Sequence, residues 1–174
     1  MAQHDLQRFE RIVLPYLDDA YTLARYLVRD VHDAQDVVQD AVLRALRHFD
    51  GFRGGDARAW LLAIVRNCCA TWYARERARR QDVPLTENTA GAIDEMTEAD
   101  AVAIRRSERA AIERALEALP AEFREVIVLR EIQELSYKEI GEVIGVPIGT
   151  VMSRLARARR RLAIALGAGV REAS

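Results

Sequence analysis

The last third of the chain carries arginines at a density suited to nucleic-acid contact. Five arginines and no acidic residue lie between Arg154 and Arg161. A guanidinium group can pair with a phosphate, and it can donate two parallel hydrogen bonds to the edge of a guanine. An exposed, solvated arginine helix would have the same composition. The residues that precede the arginines therefore decide between the two interpretations.

The segment just before the arginines predicts a helix, a turn and the start of a second helix. Ser136 and Glu139 have the spacing of a capping box. Gly145 stands where the first helix must end, because glycine readily adopts the left-handed conformation of a C-terminal cap. Pro147 suits the first turn of the next helix, and Thr150 is a second possible cap. The pattern is typical of a helix-turn-helix that places one helix in the major groove.

A helical wheel of that second helix separates a core side from a DNA side. The residues predicted to face the core are Val151, Leu155, Ala158 and Leu162. Base edges are expected opposite Ser153, Ala156, Arg157 and Arg160, and phosphates on the flanks, opposite Met152, Arg154, Arg159 and Arg161. The predicted DNA contacts are Thr150, Met152, Ser153, Arg154, Ala156, Arg157, Arg160 and Arg161.

Composition favours helices and excludes several classes of protein. The 174 residues have a formal net charge of −1, and alanine, leucine, arginine and glutamate dominate. No apolar run approaches the length of a membrane span, and the polar start has no signal-peptide core, so we expect a cytoplasmic protein without membrane insertion. Cys68 and Cys69 are adjacent and lie in an apolar stripe, which predicts small core residues rather than a disulfide or a metal site.

The distribution of charge and helix-breaking residues predicts two domains. Residues 6–80 read as several helices, and 81–98 as a flexible acidic linker with proline, glycine and weak periodicity. Residues 99–166 form the second predicted domain, and 167–174 a frayed tail. We therefore predict an all-α fold: two small helical domains joined by an acidic linker, the second a four-helix domain with a C-terminal helix-turn-helix.

Polar side chains mark two exposed surfaces of the first domain. Asp33 with Asp36 is predicted to cap a helix whose outer face carries Gln39 and Asp40. The glycine-rich residues 50–56 predict a loop. The helix that follows buries a stripe including Trp60, while Arg66, Asn67 and Thr71 lie on its other side.

In their order along the chain, these stretches resemble the extracytoplasmic-function class of bacterial sigma factors over about residues 6–166. DAQDVVQDAVLRAL is similar to the family's polymerase-binding region, and FRGGDARAWLLAIVRN to the region that melts and reads the −10 element. LPAEFREVIVLREIQELSYKEIGEVIGVPIGTVMSRLARARRRL resembles the −35-reading region. One departure is Gly141, where the family usually has alanine; we interpret it as permitting closer packing of the recognition helix.

The resemblance assigns roles to the two surfaces of the first domain. It implies contact with core RNA polymerase by Asp33, Asp36, Gln39 and Asp40, and with the −10 DNA by Phe52, Arg53, Arg66, Asn67 and Thr71. Each group also fits an ordinary solvated or packed helix face. In Phe52 and Arg53 the loop offers a ring and a cation that could hold an extruded base.

The resemblance implies a promoter-specificity factor without catalytic residues, cofactor or metal. Its expected partners are core RNA polymerase, through the clamp helices of the largest subunit and the flap, promoter DNA and an anti-sigma factor. A stand-alone helix-turn-helix regulator is the alternative, but it needs a dimer seam that the first domain lacks. An enzyme is disfavoured, because His4, His32 and His48 have no nucleophile at a fitting spacing.

Overall fold

The computed structural model describes residues 3–81 and 100–171, and all regular structure in these residues is helical, which confirms the all-α prediction. The α-helices of these residues are α1 Gln3–Val13, α2 Leu17–Val28, α3 Val31–Arg47, α4 Ala57–Gln81, α5 Asp100–Ala118, α6 Ala121–Ile127, α7 Tyr137–Ile144 and α8 Ile148–Arg171. Apart from Gln81, the predicted linker lies outside the described residues. None of the described helices combines the length and the apolarity that crossing a membrane requires.

The first domain, α1–α4, packs α2 and α3 against the long helix α4. Pro15 lies in a 3₁₀ turn, Leu14–Tyr16, that joins α1 to α2. The cap predicted at Asp33 is wrong. Asp30 precedes the helix in an extended conformation, and its carboxylate accepts hydrogen bonds from the amides of His32 at 2.8 Å and Asp33 at 3.0 Å. These bonds lower the pKa of Asp30.

An aromatic cluster fixes the start of α4 to the rest of the first domain. The Phe49 ring lies edge-on to Phe9 at 5.2 Å and stacks on Phe52 at 5.9 Å between centroids. Trp60 lies 5.0 Å from Phe52 and packs against the core, as predicted. These contacts hold the glycine-rich loop between α3 and α4 at the surface, with Gly54 in the left-handed region.

The second domain, α5–α8, is a four-helix unit that ends in the predicted helix-turn-helix. The Ser136–Glu139 capping box is present, and Gly145 ends α7 with φ of 71°, which confirms both predictions. Pro147 lies just before α8 rather than in its first turn, and its carbonyl accepts from the amide of Thr150 at 2.9 Å. Thr150 is therefore inside the helix and does not cap it. Helix α8 also continues to Arg171, beyond the predicted boundary at 166.

Gly141 lies where α7 meets the turn of the helix-turn-helix. A Cβ at this position would stand 2.8 Å from the carbonyl oxygen of Val146 and 3.8 Å from a methyl group of Val151 in α8. The first distance is shorter than a normal nonbonded contact. Glycine thus lets the turn before α8 approach α7 closely. The sequence predicted a close approach of the recognition helix here, but it is the turn that makes the close contact.

The two domains pack against each other, α4 on α7 and α2 on α6, an arrangement that we call the closed arrangement. Their buried apolar residues form one continuous cluster. Arg124 joins helix ends across the boundary: its guanidinium donates to the carbonyls of Leu116 and Leu119 at 2.9 and 2.6 Å, and to that of Leu27 at 3.3 Å. Only 2% of Arg124 is exposed, and burial lowers its pKa.

Candidate nucleic-acid interface

Burial along α8 agrees with the helical wheel drawn from the sequence. Val151, Leu155 and Ala158 are buried against the domain, and Leu162 packs at the margin of the core. On the outer side Met152, Ser153, Ala156, Arg157 and Arg160 are exposed. Between Ser153 and Arg161 the helix therefore presents a polar and basic surface, with the buried stripe on its other side.

Three of the arginines of α8 are engaged within the second domain. Arg159 forms a 2.6 Å ion pair with Glu131, which raises the pKa of the arginine. The guanidinium of Arg161 lies over the ring of Phe123, 4.9 Å from its centroid. These contacts fix the two side chains on the flank of α8, and each positive charge lies against a carboxylate or an aromatic ring. Neither side chain is therefore a purely solvated cation.

Arg154 is the third engaged arginine and the most enclosed. Its guanidinium lies 3.6 Å from a carboxylate oxygen of Glu122 and 3.5 Å from one of Glu125, both on α6. Only 23% of its side chain is exposed. The sequence predicted that Arg154 contacts a DNA phosphate, and in the closed arrangement the two carboxylates lie where that phosphate would bind.

Arg157 and Arg160 differ from their neighbours. Both are exposed, and neither forms an ion pair or a side-chain hydrogen bond with any residue that the structure describes. Both lie on the side of α8 opposite its buried stripe. They are thus the arginines of the recognition helix that are ready to contact DNA without first breaking a contact.

The start of α8 adds apolar side chains to this surface. Met152 is 53% exposed, and Ile148, one helical turn earlier, is 47% exposed. Thr150 between them is half-buried, and its carbonyl accepts a 3.0 Å hydrogen bond from the hydroxyl of Ser153. Ile148 was not among the contacts predicted from the sequence, although its spacing of four from Met152 places both on one face.

The predicted −10 surface divides into exposed and engaged residues. Arg53 and Asn67 are exposed, and the hydroxyl of Thr71 donates to the carbonyl of Asn67 at 3.0 Å. Phe52 is buried in the aromatic cluster, so stacking on a base would require its ring to leave that cluster. Arg66 is bound at 3.1 Å by Glu125 of the second domain.

The predicted polymerase-binding face on α3 remains open in the closed arrangement. Asp36 and Gln39 are exposed, and Asp33 is half-buried in the first turn. Asp40 forms a 2.8 Å ion pair with Arg44. Leu43, missed from the sequence, is 46% exposed and lies one turn from Gln39 beside a shallow apolar recess. Its spacing of four from Gln39, a predicted contact residue, was the available signal in the sequence.

The cysteines take no part in this surface. Cys68 and Cys69 are both buried free thiols, in agreement with the prediction of core residues. Burial raises the pKa of Cys69 to about 12 and raises that of Cys68 as well. Thiols with such raised pKa values are poor nucleophiles at neutral pH.

Comparison with known proteins places both domains among transcription factors. The family described as Sigma-70 region 2 matches residues 12–79, and the one described as Sigma-70, region 4 matches residues 109–162. The chain is 33% identical to the ECF RNA polymerase sigma-E factor of Escherichia coli K12 over 166 residues, 91% of this chain and 86% of that protein. It is 34% identical over 163 residues to the ECF RNA polymerase sigma factor SigE of Mycolicibacterium smegmatis, covering 92% of this chain and 62% of that protein.

A solved structure agrees over nearly the whole chain. The sigma factor RpoE of Bartonella quintana, in complex with the anti-sigma factor NepR, superposes with a TM-score of 0.71 and 29% identity. The match covers 92% of this chain and 98% of that one. The similarity thus extends to both domains.

Proposed function

Because the chain belongs to the extracytoplasmic-function sigma factors, we propose that it binds core RNA polymerase in the cytoplasm and directs it to a defined set of promoters. The observation that carries the proposal is the recognition helix α8. Its apolar stripe is buried, while Arg157 and Arg160 are exposed and unpaired among the described residues. A helix of this kind in a helix-turn-helix reads base edges in the major groove.

Each domain takes a separate part of this function. The second domain reads the −35 element through Ser153, Arg157 and Arg160, while Arg154 and Arg161 serve the phosphates. The first domain holds the opened −10 strand through Asn67, Thr71 and the loop at Arg53. No bond is made or broken, so the chain needs no catalytic residue; the free energy for strand opening comes from binding.

The polymerase is needed to set the distance between the two domains. The −10 and −35 elements lie on the order of 80 Å apart in B-form DNA at about 3.4 Å per base pair. The closed arrangement instead holds α4 against α7. Polymerase bound at Asp36 and Gln39 and at the second domain would hold the domains apart. Regulation by an anti-sigma factor is part of the proposal, and it is supported by the similar Bartonella quintana sigma factor, which was solved in complex with the anti-sigma factor NepR.

In vitro transcription with purified chain and core polymerase on a promoter library tests the proposal. We expect transcripts from a small subset of templates that share a −35 and a −10 sequence, and none with core polymerase alone. Failure of the chain to associate with core polymerase would refute it. Tight, sequence-specific binding of a promoter by the chain alone at physiological salt would favour the stand-alone regulator.

A further inference from the structure

A single buried carboxylate joins the two candidate DNA-binding surfaces. Glu125 of α6 is 6% exposed. Its Oε2 lies 3.1 Å from Nε of Arg66, on the −10 helix α4, and its Oε1 lies 3.5 Å from a terminal nitrogen of Arg154, on the recognition helix α8. Each oxygen thus serves an arginine from a different domain.

We propose that Glu125 is an interdomain latch that holds the free chain closed and occupies, on both DNA-binding helices, an arginine that DNA phosphates would otherwise take. The inference rests on the proposed function, in which Arg154 serves the phosphates, together with the contact to −10 DNA that the family resemblance implies for Arg66. Carboxylates and phosphates make the same charge-assisted hydrogen bonds with guanidinium groups. Glu125 and DNA therefore compete for the same donors.

The charges around Glu125 balance only when all three helices are together. Glu122, also on α6, is the second acidic partner of Arg154 at 3.6 Å. Two arginines then face two carboxylates. Because Arg66 comes from the other domain, separation of the domains removes one positive charge from the buried Glu125. Opening therefore frees Arg66, while Arg154 stays paired with Glu122 and Glu125 within the second domain.

A second polar contact lies at the start of α4 and supports the same interface. Arg58 binds the carboxylate of Asp19 at 2.6 Å and the carbonyl of Gln133, in the second domain, at 2.9 Å. The side-chain amide of Gln133 donates to the carbonyl of Asp19 at 2.6 Å. The side-chain oxygen of Gln133, Oε1, is buried and receives no hydrogen bond from any described residue.

These contacts suit an interface that opens. Polar groups that bridge domains exchange their partners for water or for a ligand more readily than an apolar core does. Hydration of Oε1 of Gln133 would also favour the open chain. Asp36 and Gln39 lie outside the interface and stay exposed. Polymerase can therefore engage α3 of the closed chain, while Arg66 becomes available only after opening.

Small-angle X-ray scattering of the full chain, without polymerase, tests the latch directly. A compact chain of this length has a radius of gyration of about 16 Å. We expect the radius of gyration of Glu125→Gln to exceed that of Glu108→Gln by about 3 Å or more, because a chain with separated domains is more extended than a compact chain of the same length. Glu108 is an exposed acid of α5, so the control makes the same change in charge away from the interface.

Binding of a fluorescent DNA duplex at low salt gives a second readout, which distinguishes the loss of Glu125 from the loss of Arg66. Glu125→Gln frees Arg66 and leaves Arg154 with Glu122 as its acidic partner. We expect about tenfold tighter binding than with Glu108→Gln, because a larger fraction of the molecules is open and able to bind the duplex. Arg66→Gln also breaks the latch and raises the radius, but it removes a DNA contact, so its affinity stays below that of Glu125→Gln.

Two results would overturn the inference, and they are distinguishable. An unchanged radius in both Glu125→Gln and Arg66→Gln means that no latch exists, whatever the chain does with polymerase. A larger radius without tighter duplex binding means that the freed arginines do not contact DNA, which also counts against the proposed function. If Glu125→Gln fails to fold by circular dichroism, Arg66→Gln tests the latch from the first domain, with the same increase in radius expected.

Discussion

Replacing Gly141 by alanine should destabilise the chain, although alanine is the better helix former. In the middle of a helix the change would ordinarily stabilise by about 1 kcal/mol. Here the new Cβ would lie 2.8 Å from the carbonyl oxygen of Val146. That oxygen belongs to the backbone of the turn and cannot rotate away, so the turn between α7 and α8 must move.

The size of the effect follows from the two opposing terms. Overpacking of a close contact costs about 1–3 kcal/mol. The gain in helix propensity offsets about 1 kcal/mol of this cost. The carbonyl of Gly141 also accepts from the amides of Gly145 at 2.9 Å and Val146 at 3.1 Å, so the displacement strains the end of α7. We expect a net loss of about 1 kcal/mol in the free energy of unfolding.

Gly149→Ala is the matched control, because it adds the same methyl group to the first turn of α8. No atom lies within 4 Å of a Cβ at Gly149, and the residue is exposed. The control should therefore stabilise by up to about 1 kcal/mol. Urea denaturation of both variants should show a gap of about 2 kcal/mol, or about 4–8 °C in melting temperature. Equal stabilisation by both alanines would refute the claim of close approach.

Three further predictions concern the proposed promoter contacts and the capping box. Arg157→Ala should lower affinity by about 1–3 kcal/mol for the preferred base at one −35 position only, measured by transcription from a randomised element; equal losses for every base would contradict direct reading. Deoxyuridine in place of thymine within the −35 element should cost about 1 kcal/mol in binding if Ile148 and Met152 contact the thymine methyl group, and Met152→Ala should abolish the difference. The capping hydrogen bonds with Ser136 lower the pKa of Glu139. Their contribution to stability is therefore complete above the ordinary glutamate pKa of about 4.3 and is lost as pH falls through the lower pKa of the folded state. Glu139→Gln should make the free energy of unfolding less dependent on pH in this window, and an unchanged pH profile would argue against the capping box.

Local sequence patterns were enough to predict the helix-turn-helix in detail. The capping box and the left-handed Gly145 each depend on residues within one turn of helix, and the wheel of α8 depends on a single regular period. The cap of α3 was misplaced for the same local reason. Asp30 and Asp33 both precede helical positions, and the backbone conformation, extended at Asp30, decides between them.

Such local patterns could not predict contacts between residues that are distant in sequence. The wheel of α8 gives the direction of each arginine but not its partner. Arg154, Arg159 and Arg161 face Glu125, Glu131 and Phe123, which lie 28 to 38 positions earlier. Only the packing of α6 against α8 brings them together. The reduction to two unpaired arginines is therefore a tertiary result, and it sharpens which side chains should read bases.

The closed arrangement explains how a chain with a strongly basic helix can avoid binding DNA indiscriminately. Nonspecific affinity grows with the number of phosphates that the protein neutralises. In the closed arrangement Arg66 and Arg154 are paired with Glu125, and Arg159 with Glu131. The formal net charge of the whole chain is only −1, so no general positive field replaces the paired arginines. Promoter affinity should therefore rise with the separation of the domains, because that separation releases Arg66, whereas phosphates must displace the carboxylates of the second domain to reach Arg154 and Arg159.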